Sequence, residues 1–124
     1  MNYKETEEFS RDFKKLLKKF RSLNDDLNIN KKYTIELFHV KNIDNKGIFL
    51  IQGVGNTVEL QFFKVKKFQC KNLKGRGAKS GIRIIYAFFP AQQKIVFLEI
   101  YFKADQKNEN RERILNFINT QENN

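Results

Sequence analysis

Residues 82–102, IRIIYAFFPAQQKIVFLEIYF, hold two strand-length apolar runs separated by a short polar stretch. Both runs are rich in Ile, Val, Phe and Tyr, the residue types that favour β-strands. They predict a β-hairpin with residues 90–94 as its loop. Because side chains alternate between the faces of a strand, the first run divides into two sets, Ile82, Ile84, Tyr86 and Phe88 against Arg83, Ile85, Ala87 and Phe89.

The second run divides in the same way, into Val96, Leu98, Ile100 and Phe102 against Ile95, Phe97, Glu99, Tyr101 and Lys103. If Phe89 lies opposite Ile95, Arg83 pairs with Tyr101. In that register Ile85 lies opposite Glu99, and Lys103 lies near Gly81. The pattern therefore predicts one surface that carries Arg83, Glu99, Tyr101 and Lys103.

The rest of the chain predicts an α+β fold. GIFLIQ (47–52) and VELQFFKVKKF (58–68) read as two more strands, so an antiparallel sheet of about four strands is expected. Apolar residues spaced by three and four between Phe9 and Leu27 indicate an amphipathic helix with a basic outer face, and residues 24–40 predict a second helix. Residues 108–120 are compatible with a short C-terminal helix. Without repeats or a linker, residues 1–124 are expected to form a single domain.

The positive charge of the chain is concentrated in one interval. The net charge is +10, and no acidic residue lies between Glu59 and Glu99, where nine cations occur: Lys64, Lys66, Lys67, Lys71, Lys74, Arg76, Lys79, Arg83 and Lys94. Such a one-sided field indicates a polyanionic partner, either nucleic acid or an acidic protein segment. The alternative interpretation is a solvated basic surface that keeps the protein soluble, which scattered cations would favour. The candidate RNA-binding residues are Lys66, Lys67, Lys71, Lys74, Arg76 and Lys79.

The glycines at positions 75, 77 and 81 do not form a nucleotide-binding motif. A P-loop requires glycine six positions before and immediately before its lysine, but positions 73 and 78, counted from Lys79, are Leu and Ala. A strand rather than a helix follows. The stretch is interpreted as a cationic loop whose backbone can approach a sugar-phosphate chain, or as a plain hairpin loop with solubilising charge.

Cysteine and histidine are too few for several classes of site. Cys70 is the only cysteine and His39 the only histidine, so we expect no disulfide, no metal site and no cofactor. His39 is interpreted as a surface or helix residue. No apolar stretch approaches the ~20 residues of a membrane span, and no signal peptide is recognisable, so we expect no membrane association and a cytoplasmic protein.

The predicted cluster on the hairpin suggests RNA cleavage through the 2′-hydroxyl. That reaction needs a base at the hydroxyl, cations around the phosphorus and an acid at the leaving oxygen. Arg83 and Lys103 can supply the cations, and Tyr101 can supply a proton-transfer group. The competing interpretation is structural, with Glu99 in a salt bridge to Arg83 or Lys103 and the tyrosine packed over it.

SGIRIIYAFF (80–89) followed by VFLEIYFKADQKNENRERI (96–114) resembles the C-terminal half of the RelE/ParE superfamily of bacterial type II toxins. FSRDFKKLLKKFRSLNDDL (9–27) is similar to the basic first helix of many members. The resemblance implies two N-terminal helices packed on a curved antiparallel sheet, and an antitoxin partner that wraps the toxin. It is most specific in the Gly-x-Arg-x-x-Tyr strand and weakest over residues 31–57.

For RelE-like members the resemblance implies a toxin that enters the ribosomal A site, cuts mRNA there and so inhibits translation. Arg83 matches the family's strand arginine, and Lys74, Arg76 and Lys79 lie in the region where the family's preceding basic residues are expected, without matching them position by position. Arg83, Tyr101 and Lys103 are the candidate catalytic residues. No tyrosine or histidine follows Lys103. Two alternatives therefore stay open: a ParE-like inhibitor of DNA gyrase, and an inert relative that only binds an antitoxin or nucleic acid.

Overall fold

The computed structural model describes residues 1–73 and 80–122. Its elements are β1 (Asn2–Glu5), α1 (Glu7–Lys19), α2 (Leu23–Asn30), a π-helical turn (Lys31–Ile35), α3 (Glu36–His39), β2 (Ile48–Leu50), β3 (Gln61–Val65), β4 (Ile82–Phe89), a 3₁₀ turn (Pro90–Gln92), β5 (Lys94–Phe102) and α4 (Arg111–Glu122). The α+β class and the C-terminal helix are confirmed. Within the described ranges, no helix combines the length and the apolar character needed to cross a membrane.

The sheet has five strands in the order β1-β5-β4-β3-β2. Strands β2 to β5 pair antiparallel, whereas β1 pairs parallel with β5. The sheet is therefore mixed, and the prediction of about four antiparallel strands was wrong in both respects. The C-terminal helix that the sequence predicts is α4, which follows the last strand and packs on the sheet.

Strand β1 is held by its backbone and by one side chain. It pairs with residues 94–97 of β5, and only Tyr3 of its four residues is partly buried. The Tyr3 ring stacks on Phe97 at 5.9 Å between ring centroids, and its hydroxyl donates to Glu36 Oε2 at 2.7 Å. This strand pairs through main-chain groups, which every residue type has. Because the sequence NYKE shows no alternation of apolar residues, the strand could not be predicted from it.

Helix α1 begins at a side-chain cap and buries an aromatic ridge. Thr6 Oγ1 accepts a hydrogen bond from the Phe9 amide at 3.1 Å, and two acidic residues occupy the first turn, as the helix dipole favours. The Phe9 side chain is fully buried against Phe97. The predicted second helix is present as α2, the π-helical turn and α3, which follow one another without a break over residues 23–39.

Both faces of the sheet are covered, and the two faces carry separate cores. On the α1 face, side chains of the central strands, among them Ile84, Tyr86 and Phe97, pack against Phe9 of α1 and Leu23 of α2. On the α4 face, the other side chains of the same strands pack against α4 and residues 51–60; they include Phe62, Ile85, Ala87, Leu98 and Ile114. Residues of β4 are thus apolar on both faces because both faces are buried.

The register of the β4–β5 hairpin was predicted correctly at one end only. Arg83 pairs with Tyr101 and Ile85 with Glu99, as expected, and the Lys103 amide donates to the Gly81 carbonyl at 2.8 Å. Toward the loop the partners shift by one residue, so that Phe89 lies opposite Lys94 instead of Ile95. The cause is a β-bulge that leaves Leu98 as an extra residue.

The bulge also changes which face each residue of β5 occupies. Ile95 and Phe97 pack on the α1 face, and so do Ile100 and Phe102 beyond the bulge. The predicted division of this strand, which joined Ile100 and Phe102 to Val96 and Leu98, was therefore wrong. Tyr101 and Leu98 both lie on the α4 face, together with Ile85, which is two residues after Arg83 in β4.

Glu99 is buried and anchors the segment that leads into α4. Its side chain is only 2% exposed. Oε2 accepts from Gln106 Nε2 at 2.7 Å, and Oε1 accepts from the Asn110 amide at 2.9 Å, one residue before α4 begins. The expected salt bridge between Glu99 and Arg83 or Lys103 is absent among the described residues.

His39 lies on the α1 face, away from Arg83. Its Nε2 shares a hydrogen bond of 2.7 Å with the Tyr86 hydroxyl, and its ring stacks on Phe88 at 3.9 Å. Burial lowers the pKa of His39 from 6.5 to about 4. The neutral imidazole is therefore part of an aromatic cluster in the folded protein, in line with its interpretation as a helix residue.

Replacing Glu99 should destabilise the fold. Glu99→Ala leaves the Asn110 amide without its charged acceptor, so the free energy of unfolding should fall by about 2 kcal/mol or more in a urea titration. Glu59→Ala is the control, because Glu59 is exposed, and it should change stability by less than ~0.5 kcal/mol. Equal losses in the two variants would contradict the anchoring role.

The His39 cluster should make stability depend on pH. Between pH 6.5 and pH 4 the unfolded chain binds a proton at His39 that the folded chain does not, so the free energy of unfolding falls as the pH is lowered through this window. His39→Gln removes this contribution. The stability difference between wild type and variant should therefore shrink from pH 7 to pH 4; parallel curves would disprove burial of a neutral His39.

Candidate nucleic-acid interface

Arg83 and Tyr101 form a cross-strand pair near one end of the central hairpin. Arg83 is the second residue of β4, Tyr101 is the second-last residue of β5, and the two are direct partners in the ladder. Partners in an antiparallel ladder project to the same face, which here is the α4 face. The structure thus brings these two predicted catalytic residues together, although their solvent exposure differs.

Arg83 is half-buried and oriented by the neighbouring strand. Its Nη1 donates to the backbone carbonyl of Lys66 at 3.0 Å. Nη1 also donates to the Ile82 carbonyl at 3.5 Å. A guanidinium has five N–H groups, so those on Nε and Nη2 remain for a ligand. Lys66 itself is exposed, and its Nζ lies 4.8 Å from the centroid of the Phe49 ring.

Lys64 lies between Phe49 and Ile85 in the ladder, on the same face. Its Nζ contacts Glu109 Oε1 at 2.8 Å, and Arg111 Nε lies 3.5 Å from the other carboxylate oxygen. Burial alone would lower the pKa of Lys64, but the interactions with Glu109 and Tyr101 together outweigh burial and raise it. Burial alone would raise the pKa of Glu109, but the interaction with Lys64, with smaller effects of a backbone amide and Arg111, lowers it. Both groups are therefore charged at neutral pH.

The Tyr101 side chain is only 4% exposed. Among the described residues, no hydrogen-bond partner reaches its buried hydroxyl. The Lys64 ammonium lies 5.8 Å from the centroid of the ring. Burial raises the pKa of Tyr101, and the nearby Lys64 only partly opposes this, so the hydroxyl stays protonated and can donate a proton rather than accept one.

Lys103, the third predicted catalytic residue, is exposed and follows the end of β5. Its backbone amide bonds Gly81, whose φ of +85° lies in the left-handed region that favours glycine. A side chain at position 81 would also approach the Phe102 ring to 3.3 Å. The backbone of Lys103 is thereby held beside the start of β4. Lys103 follows Tyr101, the strand partner of Arg83, by two residues.

The predicted RNA-binding lysines do not share one surface. Lys66 is on the α4 face beside Arg83, whereas Lys67 Nζ contacts the Asn45 carbonyl at 3.3 Å and lines a groove with Asn30 and Tyr33 of the helices. Lys71 is exposed. Lys74, Arg76 and Lys79 lie outside the described residues, so their predicted role stays a prediction.

The chain is fixed on both sides of residues 74–79. Before them, the Asn72 amide donates to Ser22 Oγ at 3.1 Å and the Lys71 amide donates to the Asp26 carboxylate at 3.2 Å. After them, the buried Ser80 hydroxyl donates to the Phe68 carbonyl and accepts from the Ile82 amide. These bonds fix residues 71–72 at the start of α2 and Ser80 at the start of β4, the strand that carries Arg83.

The α4 face offers cations and one neutral hydroxyl, without the elements of a metal site. Over residues 1–73 and 80–122, no group of three His, Cys, Asp or Glu side chains could hold a metal ion. His39 is on the opposite face. Chemically, this surface can neutralise phosphate charge and, once Tyr101 is reached, donate a proton.

Three contributors to this surface were missing from the predicted site. Lys64 belongs to the basic interval, and its spacing of two from Lys66 is the signal that places both on one face. Glu109, which neutralises Lys64, is 45 residues away along the chain, so no local pattern reveals it. Phe49 sits in a run in which every neighbour is also apolar, so its exposure could not be read from the sequence.

The fold is similar to that of a chain in a solved complex, the crystal structure of the archaeal RelE–RelB complex from Pyrococcus horikoshii OT3. The similarity has a TM-score of 0.50 at 14% sequence identity and covers 82% of this chain and 93% of that chain. No protein-family model and no curated protein sequence matches this chain. At this level of identity the similarity establishes a RelE-like fold.

Proposed function

We propose that this protein is the toxin of a toxin–antitoxin pair and that it cuts mRNA in the A site of translating ribosomes, in the cytoplasm. Residues 1–124 act as one domain, and Arg83, Tyr101 and Lys103 act at the cleavage site. An antitoxin protein is the partner that keeps the toxin inactive. The proposal rests on three supports: the RelE-like fold, the Gly-x-Arg-x-x-Tyr strand and the charge of the α4 face.

The observation that carries the proposal is the arrangement around Arg83. Its guanidinium is oriented by the Lys66 carbonyl, its strand partner is Tyr101, and Lys64 lies one strand away on the same face. A scissile phosphate must be approached by several cations at once, because charge builds up on its oxygens in the transition state. This surface concentrates cations where a sheet provides a rigid base for them.

In the proposed reaction, the 2′-hydroxyl loses its proton to a water molecule, its oxygen attacks the adjacent phosphorus to form a 2′,3′-cyclic phosphate, and the bond to the 5′-oxygen breaks. Arg83 stabilises the negative charge on the phosphoryl oxygens, and Lys103, just after the end of β5, supplies a second positive charge. Tyr101 is protonated at neutral pH, since a phenol titrates near pH 10 and burial raises the pKa of Tyr101 further, and its proton passes to the leaving 5′-oxygen. For this step the Lys64–Glu109 pair must shift from its position near the ring.

A second function, inhibition of DNA gyrase without cleavage, is favoured by the burial of Tyr101. Its hydroxyl is covered, and in the part of the chain that the structure describes the α4 face has no exposed histidine or tyrosine to replace it. A surface of cations without an accessible proton donor binds a polyanion but does not cleave it. The two functions can be distinguished experimentally, because a nuclease produces new mRNA 5′ ends whereas a gyrase inhibitor leaves mRNA intact and blocks DNA supercoiling.

Arg83→Ala should abolish mRNA cleavage. In a translating cell-free extract, wild-type protein should produce new mRNA 5′ ends at A-site codons, mapped by primer extension, and the variant should produce at least ~100-fold fewer because the transition-state charge loses its main partner. Arg11→Ala is the matched control, since Arg11 is exposed on α1, and it should cleave like wild type.

Two results would contradict the nuclease proposal. Intact mRNA with wild-type protein, together with inhibited DNA supercoiling, would establish the gyrase function instead. Cleavage by Arg83→Ala at the wild-type rate would remove Arg83 from the site. Thermal unfolding of Arg83→Ala should remain near that of wild type, which separates a catalytic loss from a folding defect.

RNA affinity should depend on salt in a way that Glu109 controls. With about four phosphates contacted, log affinity for single-stranded RNA should fall against log salt with a slope of roughly −3. Glu109→Gln frees Lys64 for a further phosphate, so affinity should rise and the slope should steepen by about 0.7. Glu59→Gln, at an exposed carboxylate, should change neither. A flat salt response of the wild type would contradict RNA binding altogether.

A further inference from the structure

Phe49 is the exception among the phenylalanines of this chain. All 13 lie in the described residues, and Phe49 alone is exposed, with 43% of its surface accessible. It is the middle residue of β2, an edge strand of the sheet, and its ladder partner is Lys64. An aromatic ring exposed on a sheet surface offers a flat face on which a planar ligand group can stack.

The surroundings of Phe49 are charged rather than apolar. Lys66 Nζ lies 4.8 Å from the ring centroid, Lys64 is the strand neighbour, and Arg83 reaches the Lys66 carbonyl. The carboxylate of Glu109 is paired with Lys64. Leu50, also exposed, projects to the α1 face, since its ladder partner Phe63 packs there. The ring is therefore isolated among cations.

An isolated ring with cations around it matches single-stranded nucleic acid better than a protein segment. An amphipathic helix needs several apolar contacts in a row, as in helix-in-groove recognition. A nucleobase needs only one aromatic face on which to stack, and its flanking phosphates need cations nearby. Lys66 covers the ring through a cation–π contact that is weak at an exposed position and is replaced when a base arrives.

We propose that Phe49 stacks on a nucleobase of the RNA strand whose phosphates are bound by Lys66 and Arg83. This inference rests on the proposed function, because it assigns the α4 face to RNA. Phe49 is two strands from Arg83, roughly 10 Å across the sheet. The base that stacks on it is therefore a neighbour of the cleaved linkage, and Lys66 moves from the ring to a phosphate.

The test uses a short single-stranded RNA that contains the fluorescent base 2-aminopurine. Stacking on an aromatic ring quenches this fluorescence, and titration gives the affinity. Phe49→Leu should weaken binding on the order of tenfold and remove the quenching, because leucine keeps apolar volume but has no ring. Phe49→Trp should retain both. Tyr33→Leu is the control, since Tyr33 is an exposed aromatic residue of the helices, and it should behave as wild type.

The outcomes separate this inference from the proposed function. If the wild type binds no RNA, both are overturned. If the wild type binds and Phe49→Leu binds equally well with the same quenching, the stacking role is overturned while the RNA function stands, and the ring belongs to a protein contact. Thermal unfolding of each variant checks folding, and retention of binding by Phe49→Trp excludes a general sensitivity of this position.

Discussion

The pairing of β4 with β5, together with the bulge at Leu98, is the constraint on which the remaining structure depends. Both strands are buried on both faces, so the pair carries the core shared with α1 and the core shared with α4. The bulge lets apolar residues fill the α1 face on both sides of it and still places Glu99 and Tyr101 on the α4 face. Glu99 then anchors the entry to α4, and Tyr101 lies beside Arg83.

Alternation of side chains predicted the outer part of this hairpin and failed where a bulge interrupts it. The charged and aromatic residues Arg83, Glu99 and Tyr101 mark a face, so their register could be derived. Nearer the loop the residues on both faces of the two strands are apolar. A shift of the pairing register by one residue then exchanges two equally apolar faces, so the sequence pattern does not reveal the shift. Strand β1 was not predicted either, because it is held by main-chain bonds and by Tyr3 alone, and neither produces a repeating pattern in the sequence.

The candidate site was predictable to the extent that it is local in sequence. The pairing of Arg83 with Tyr101 follows from the strand pattern. The basic interval indicates that the molecule bound by this protein is negatively charged. The side chains that modulate this surface come from elsewhere: Glu109 reaches Lys64 from beyond β5, and Phe49 is left exposed because β2 is an edge strand. Such contacts depend on tertiary packing. Lys67, adjacent to Lys66 in sequence, is turned toward the helices for the same reason.

The central claim is that the α4 face, and not the basic surface of α1, binds mRNA on the ribosome. Photocrosslinking measures this most directly: translating ribosomes carry mRNA with 4-thiouridine in the A-site codon, protein is added, and the crosslinked peptides are identified by mass spectrometry. The account predicts crosslinks within residues 47–66 and 82–85. Crosslinks confined to residues 7–19 of α1, or none at all, would contradict it.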